Sequence, residues 1–187
     1  MKRFVTAKEN DLPAIEKCLR RCEQSCIDEG ISAVDVRLGR EQILDAVESG
    51  SLLLIKDGAM VLGMAWFLHD LSKAFFPLSN SERKSIDLLD EYGWNGEPII
   101  VFRAFMIDPM VRNEGNGREL MQALLARFKG ASFFASFSLD NPTAATFYRA
   151  MGFEIRLTHE LEIEKETARN LAVRMFKPSG LCREARW

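Results

Sequence analysis

The residues best placed to do chemistry lie in one stretch, Ile107-Asp108-Pro109-Met110-Val111-Arg112-Asn113-Glu114-Gly115-Asn116-Gly117-Arg118-Glu119-Leu120. An apolar strand ends, a short loop turns, and a helix begins at glycines. The first N–H groups of a helix have no acceptor within it. Where they converge they can bind an anion, and the helix dipole adds about 0.3–1 kcal/mol for negative charge. Gly115 and Gly117 keep side chains out of a ligand's way, while Arg112 and Arg118 add charged donors. The ligand this chemistry fits is a phosphate or pyrophosphate. A Walker loop is excluded because its closing Lys-Ser/Thr is missing. A dinucleotide fingerprint is excluded because the spacing is G-x-G rather than G-x-G-x-x-G. Taken alone, the same residues also read as an ordinary glycine-rich start to a helix.

The elements that must position this loop follow from the hydrophobic period. A short strand ends near Val5. Asp11-Leu12-Pro13 opens a helix to about Cys26, with Pro13 tolerated in its first turn, and a second helix spans about 39–49 before Gly50. SLLLIK (51–56), Asp57-Gly58 and MVLGMAWFL (60–68) read as a hairpin. A strand is expected at 98–107, a helix at about 115–129, a strand at 133–139 and a helix at about 143–151. Two final strands fit Phe153–Ile163 and Leu171–Lys177. The order β-α-α-β-β-β-α-β-α-β-β makes this an α/β chain with a mixed sheet, parallel neighbours in its second half and helices on both faces.

Residues 69–97 interrupt the rhythm. They are polar, contain Pro77, Gly93 and Gly96, and allow one short helix at about 81–92 with Ser79 or Ser81 as its cap. Acidic residues outnumber basic ones there, which favours a cationic amine as partner if the segment borders the site; a solubilising loop has the same charges.

The 187 residues fit one domain, with 47% hydrophobic and 28% charged residues. The net charge is -2 and the pI about 5.8, which gives no electrostatic reason to expect nucleic acid. No apolar run approaches the roughly 18–20 residues that span a bilayer, so no membrane is expected. Met1-Lys2-Arg3-Phe4 turns polar at once, and a cytoplasmic location is the default. Cys18, Cys22 and Cys26 recur every fourth residue, but Leu12, Ile15 and Leu19 share their stripe. Core packing is the better account than a metal or redox site, and no metal is expected.

Two motifs carry a resemblance. Arg112-x-x-Gly115-x-Gly117 resembles the Q/R-x-x-G-x-G/A signature of the GNAT acetyltransferase superfamily, following a strand and an Asp-Pro as the family's does. Asn141-Pro142-Thr143-Ala144-Ala145-Thr146-Phe147-Tyr148-Arg149-Ala150-Met151-Gly152-Phe153-Glu154 is similar to the family's N-x-x-A-x-x-F-Y-x-x-x-G-F-E segment. Phe4-Val5-Thr6-Ala7 and Asp11-Leu12 resemble its first strand and helix.

The resemblance implies the acyl-CoA N-acyltransferase fold, a central twisted mixed sheet flanked by helices. It implies one domain over 1–187 with an insertion at about 69–97. Acetyl-CoA becomes the co-substrate, with its pyrophosphate on Arg112, Asn113, Glu114, Gly115, Asn116, Gly117 and Arg118. Its pantetheine arm pairs with Phe105, Met106 and Ile107 and takes a hydrogen bond from Asn141. Tyr148 stands where the family places the acid that protonates the leaving thiolate, and a phenol with an ordinary pKa of about 10 carries that proton at neutral pH. Asn141 also reads as a helix cap, and Tyr148 as a packing residue beside Phe147. The acceptor is the amine of a small molecule or peptide, and homodimers are common in the family.

The pattern departs at the base. Where many relatives carry a glutamate, this chain has Arg103 and Ser136. His69, Asp70, Asp87, Glu97 or a water chain are left for that role. A regulator that binds acyl-CoA without chemistry is the alternative function.

Overall fold

The computed structural model describes residues 1–31, 33, 36–69, 96–138, 141–158 and 169–174. The elements are β1 (Lys2–Thr6), α1 (Leu12–Asp28), α2 (Arg40–Glu48), β2 (Leu52–Asp57), β3 (Met60–Leu68), β4 (Ile99–Ile107), α3 (Asn116–Arg127), β5 (Ser132–Ser138), α4 (Pro142–Ala150), β6 (Glu154–Thr158) and β7 (Arg169–Arg174). Their order is the one the pattern implies. The helix expected at 81–92 and the strand ends at 159–163 and 175–177 lie outside the described residues.

The strands form one seven-stranded sheet in the order β1-β2-β3-β4-β5-β7-β6. All neighbours are antiparallel except β4 and β5. The unit β4–α3–β5 therefore sets parallel strands side by side, as expected. The next unit, β5–α4–β6, does not. β7 turns back antiparallel to β6 and lies against β5 at every residue from Phe133 to Ser138. Antiparallel return needs no crossover, so β7 fills the edge beside β5 and displaces β6 by one place.

Both faces of the sheet are covered, which explains why SLLLIK shows no polar alternation. Leu53 and Ile55 join Leu120, Met121 and Leu124 of α3 on one face. Leu52 and Leu54 join Ile15, Cys18, Leu19 and Cys22 of α1 and Ile43, Ala46 and Val47 of α2 on the other. The spacing of Leu12, Ile15, Leu19 and Cys22 is an amphipathic helix face, and burying each Leu or Ile contributes about 1.5–3 kcal/mol. Cys18 and Cys22 are part of that core, and their mutual hydrogen bond with burial pushes the Cys18 thiol up.

Two irregularities interrupt the ladders. Leu62 is the extra residue where the β2–β3 register shifts at Ile55/Lys56, and Arg103 is the extra residue where the β3–β4 register shifts at Trp66/Phe67. Between them Gly63 pairs with Ile107 at very close range. A Cβ at Gly63 would collide with Ile107 Cδ1 and stand 2.8 Å from the Met106 carbonyl oxygen. Gly63→Ala is therefore expected to destabilise the fold by about 1–3 kcal/mol by overpacking. Urea unfolding should show a lower midpoint at unchanged slope; an unshifted midpoint would mean that β3 and β4 part there without strain.

Candidate active site

β4 remains paired with β3 as far as Ile107, yet it pairs with β5 only where Ile99–Phe102 face Ser132–Ala135. From Ser136 to Ser138, β5 continues beside β7. Past Phe102 the two parallel strands separate, and Arg103 sits at the apex of the gap. The edge of β4 formed by Phe105, Met106 and Ile107 then has no strand on its gap side among the described residues. An extended ligand bearing amides can complete such an edge as an added strand.

The loop at the end of this edge is fastened by α1. Asp108 is fully buried, and its carboxylate accepts from Arg21 Nε at 2.8 and 3.0 Å and also from Arg21 Nη2. The same carboxylate accepts from the Met110 N–H at 3.1 Å, capping the 3-10 turn Pro109–Val111. The hydrogen bonds to Asp108 hold the Arg21 guanidinium above its ordinary pKa. One residue on, Cys22 Sγ donates to the Ile107 carbonyl at 3.6 Å. Further along α1, Arg112 Nη1 donates to Glu29 Oε1 at 2.7 Å and to Ser25 Oγ at 3.0 Å. The Ser25 hydroxyl, with Arg112 beside it, keeps the Glu29 carboxyl below its usual range.

Within the loop, Asn113 adopts φ 65°, and Gly115 has φ 83° at the N-cap of α3. Asparagine tolerates this left-handed region better than most residues, so the turn forms without a glycine at 113. Open space surrounds the position of a Gly115 Cβ. Asn116 is buried and its Nδ2 donates to the Val111 carbonyl at 2.8 Å, tying the helix start to the turn before it. The first ladder bond of α3 runs from the Glu119 N–H to the Gly115 carbonyl at 3.0 Å. The amides of Asn116, Gly117 and Arg118 precede it and have no intrahelical acceptor among the described residues. Arg118 is exposed and has no ion pair among the described residues, while Glu114 is exposed and brings only its backbone to the turn. The geometry is a backbone cradle for an anion with one adjacent cation.

A sequence profile described as an acetyltransferase (GNAT) domain matches residues 49–155. The chain belongs to the GNAT acetyltransferase family. Its fold is similar to that of a GNAT-family acetyltransferase from Streptococcus agalactiae, with a TM-score of 0.70 at 15% identity over 94% of this chain and 96% of that one. It is similar to an N-acetyltransferase from Staphylococcus aureus, with a TM-score of 0.62 at 17% identity over 95% and 99% of the chains. Arabidopsis thaliana Naa50, in complex with the bisubstrate analogue CoA-Ac-MVNAL, matches with a TM-score of 0.58 at 13% identity over 94% and 99%. No curated protein sequence matches the chain.

Two of the residues expected on the anion loop also make contacts within the chain. A Cβ at Gly117 would lie 3.3 Å from Phe147 Cε2 and 3.4 Å from Ile107 Cγ1, so Gly117 permits α3 to pack on β4 and α4. Arg112, expected to add a charged donor, turns its guanidinium to Glu29 and Ser25 of α1. Asn141 caps α4, its Oδ1 accepting from the Ala144 N–H at 2.9 Å, while its Nδ2 donor has no partner among the described residues. Tyr148 is buried, its ring stacked 5.4 Å from Phe137 and edge-on to Phe147 and Phe153. The packing reading of Tyr148 is thus real, and it fixes the ring beside β5.

Two of the residues considered as bases are elsewhere. His69 lies edge-on to Phe67 and Phe128, beyond the end of β3 that pairs with the start of β4. Glu97 precedes β4 and accepts from Ser132 Oγ at 2.5 Å. Both stand at the end of β4 opposite the anion loop. Asp70, Asp87 and the Ser136 side chain lie outside the described residues. Sequence reasoning passed over Arg21, Ser25 and Glu29, because nothing local links α1 to residues more than 80 positions later. Arg21→Leu strands the Asp108 charge and is expected to cost about 3–5 kcal/mol, and adding Asp108→Asn should recover part of that loss. Chemical denaturation of the single and double variants checks it; equal stability of Arg21→Leu and the parent would show that the pair holds nothing.

Proposed function

We propose that this GNAT protein is a single acetyltransferase domain, with an insertion at about 69–97, that moves the acetyl group of acetyl-CoA to a primary amine of a small molecule or peptide. The observation that carries this reading is the open edge Phe105–Ile107 leading directly into the amide cradle at Gly115–Arg118. The residues fit the donor. An edge that lacks a strand suits the amides of the pantetheine arm, the Asn141 Nδ2 offers it a donor, and the cradle with Arg118 suits the pyrophosphate.

When bound, acetyl-CoA supplies a thioester carbon open to attack by a neutral amine. The chain's own residues hold that carbon near the apex of the gap and exclude water with the Phe105, Phe147 and Phe137 rings. A backbone N–H at the end of the β4 edge faces the carbonyl oxygen as charge develops on it. The C–N bond forms as the C–S bond breaks. Tyr148 gives its phenol proton to the departing sulfur, the amine proton leaves to solvent, and solvent returns a proton to the phenolate before the next turnover.

A second reading, a regulator that binds acyl-CoA without turnover, is favoured by the displacement of His69 and Glu97 from the gap. Two measurements separate the readings. Acetyl-CoA at 100 times its Kd should stabilise the fold by about 2.7 kcal/mol under either one. Thiol release with an amine panel should occur only for the transferase, and Tyr148→Phe should slow it by about 10²–10⁴-fold. Binding without thiol release for any amine would leave the regulator; absence of both would remove acyl-CoA from the account.

A further inference from the structure

We infer that the cavity between α1, the β2–β3 turn and the turn after β4 binds a monocarboxylate with an apolar body, a medium-chain carboxylate of the octanoate kind. The cavity has a volume of about 500 Å³, and Ala14, Lys17, Arg21, Met60, Val61 and Met110 line it. Small-molecule sites have volumes of about 300–1,000 Å³, mostly apolar walls and a few polar groups that fix orientation. The walls here are joined before any ligand arrives. Arg21 holds Asp108, and the Asp108 N–H donates to the Leu62 carbonyl of β3 at 2.9 Å. None of the residues assigned above to acetyl-CoA lines this cavity.

Two features select the ligand. The first is exposed apolar surface: Met110 is 69% exposed and Met60 36%. Methionine is unbranched and polarizable, so two of them adapt to a flexible chain, and covering them releases water from apolar surface. The second is charge. Lys17 and Arg21 lie one turn apart on the same face of α1, and no acidic residue lines the cavity. Lys17 Nζ has no partner among the described residues. Arg21 spends its Nε and Nη2 on Asp108, which leaves Nη1 without a partner among the described residues. Ammonium and guanidinium groups are donors only. A carboxylate supplies an acceptor oxygen to each, and its apolar chain covers the two methionines. A neutral alcohol brings no counter-charge, and a cation is repelled.

The test is calorimetric titration of the full chain with octanoate, beside octanol, octylammonium and butyrate, with and without saturating coenzyme A. Octanoate should bind with a Kd of about 0.1–1 mM, about tenfold or more tighter than octanol or butyrate, whether or not coenzyme A is present. Octylammonium should show no saturable binding. Lys17→Gln should weaken octanoate about threefold or more and leave octanol unchanged, while Met110→Gln should weaken both. Both side chains are exposed, so either variant should keep the fold. Amide shifts of isotope-labelled protein at saturating octanoate should centre on Lys17, Met60 and Met110. The inference is overturned if octanol binds as well as octanoate, if Lys17→Gln binds octanoate like the parent, if coenzyme A displaces octanoate, or if the shifts centre elsewhere. Failure of coenzyme A itself to bind would remove the acetyl-CoA reading and leave this test intact.

Discussion

A carboxylate with no exposed surface cannot keep its charge without a partner, and Asp108 has Arg21. This pair determines where β4 ends and where the anion loop begins. Asp108 caps the turn that follows the strand, and Arg21 carries that turn onto the first helix. Cys22, Ser25 and Glu29 extend the same attachment along α1. A loop of exposed polar residues would otherwise sample many conformations, and amides that bind an anion well must be held before it arrives. The loop is fastened in place by a helix from the other end of the chain.

The second constraint is that β4 must serve two neighbours that diverge. It keeps β3 from Val101 to Ile107 and gives up β5 after four residue pairs. β5 stays in the sheet past the point of parting because its other edge is paired with β7 from Phe133 to Ser138. The irregularity at Arg103 absorbs the change in twist at the point of parting. A gap of this kind, bounded by a buried sheet on both faces and aromatic side chains at its wall, can exclude water without a dedicated lid. Its walls are also why Tyr148 is fixed: packing against Phe137 and Phe153 leaves the ring one orientation.

The distribution of charge around the gap is uneven. Arg118 marks the anion end and Arg103 the apex, while Glu97 and His69, both considered as bases, lie at the far end of β4. Sequence proximity to a motif is therefore a poor guide to function here. His69 and Glu97 flank the stretch of sequence that joins the ends of β3 and β4 pointing away from the anion loop.

The sequence by itself determined the element order, the apolar run of β2, the amphipathic face of α1 and the turn chemistry of Asp57-Gly58, Asn113 and Gly115. Each depends on a period or on a backbone angle that a residue's own side chain allows, so each is visible over a few positions. It also carried the family, through two motifs whose glycines and aromatic residues answer to local geometry. Only the tertiary structure decided that β7 and not β6 lies beside β5, that Gly117 serves packing, that Arg112 is engaged by Glu29, and that Arg21 neutralises Asp108. Those outcomes rest on contacts between residues many positions apart, where no spacing rule applies and where burial sets how much each charge or cavity costs.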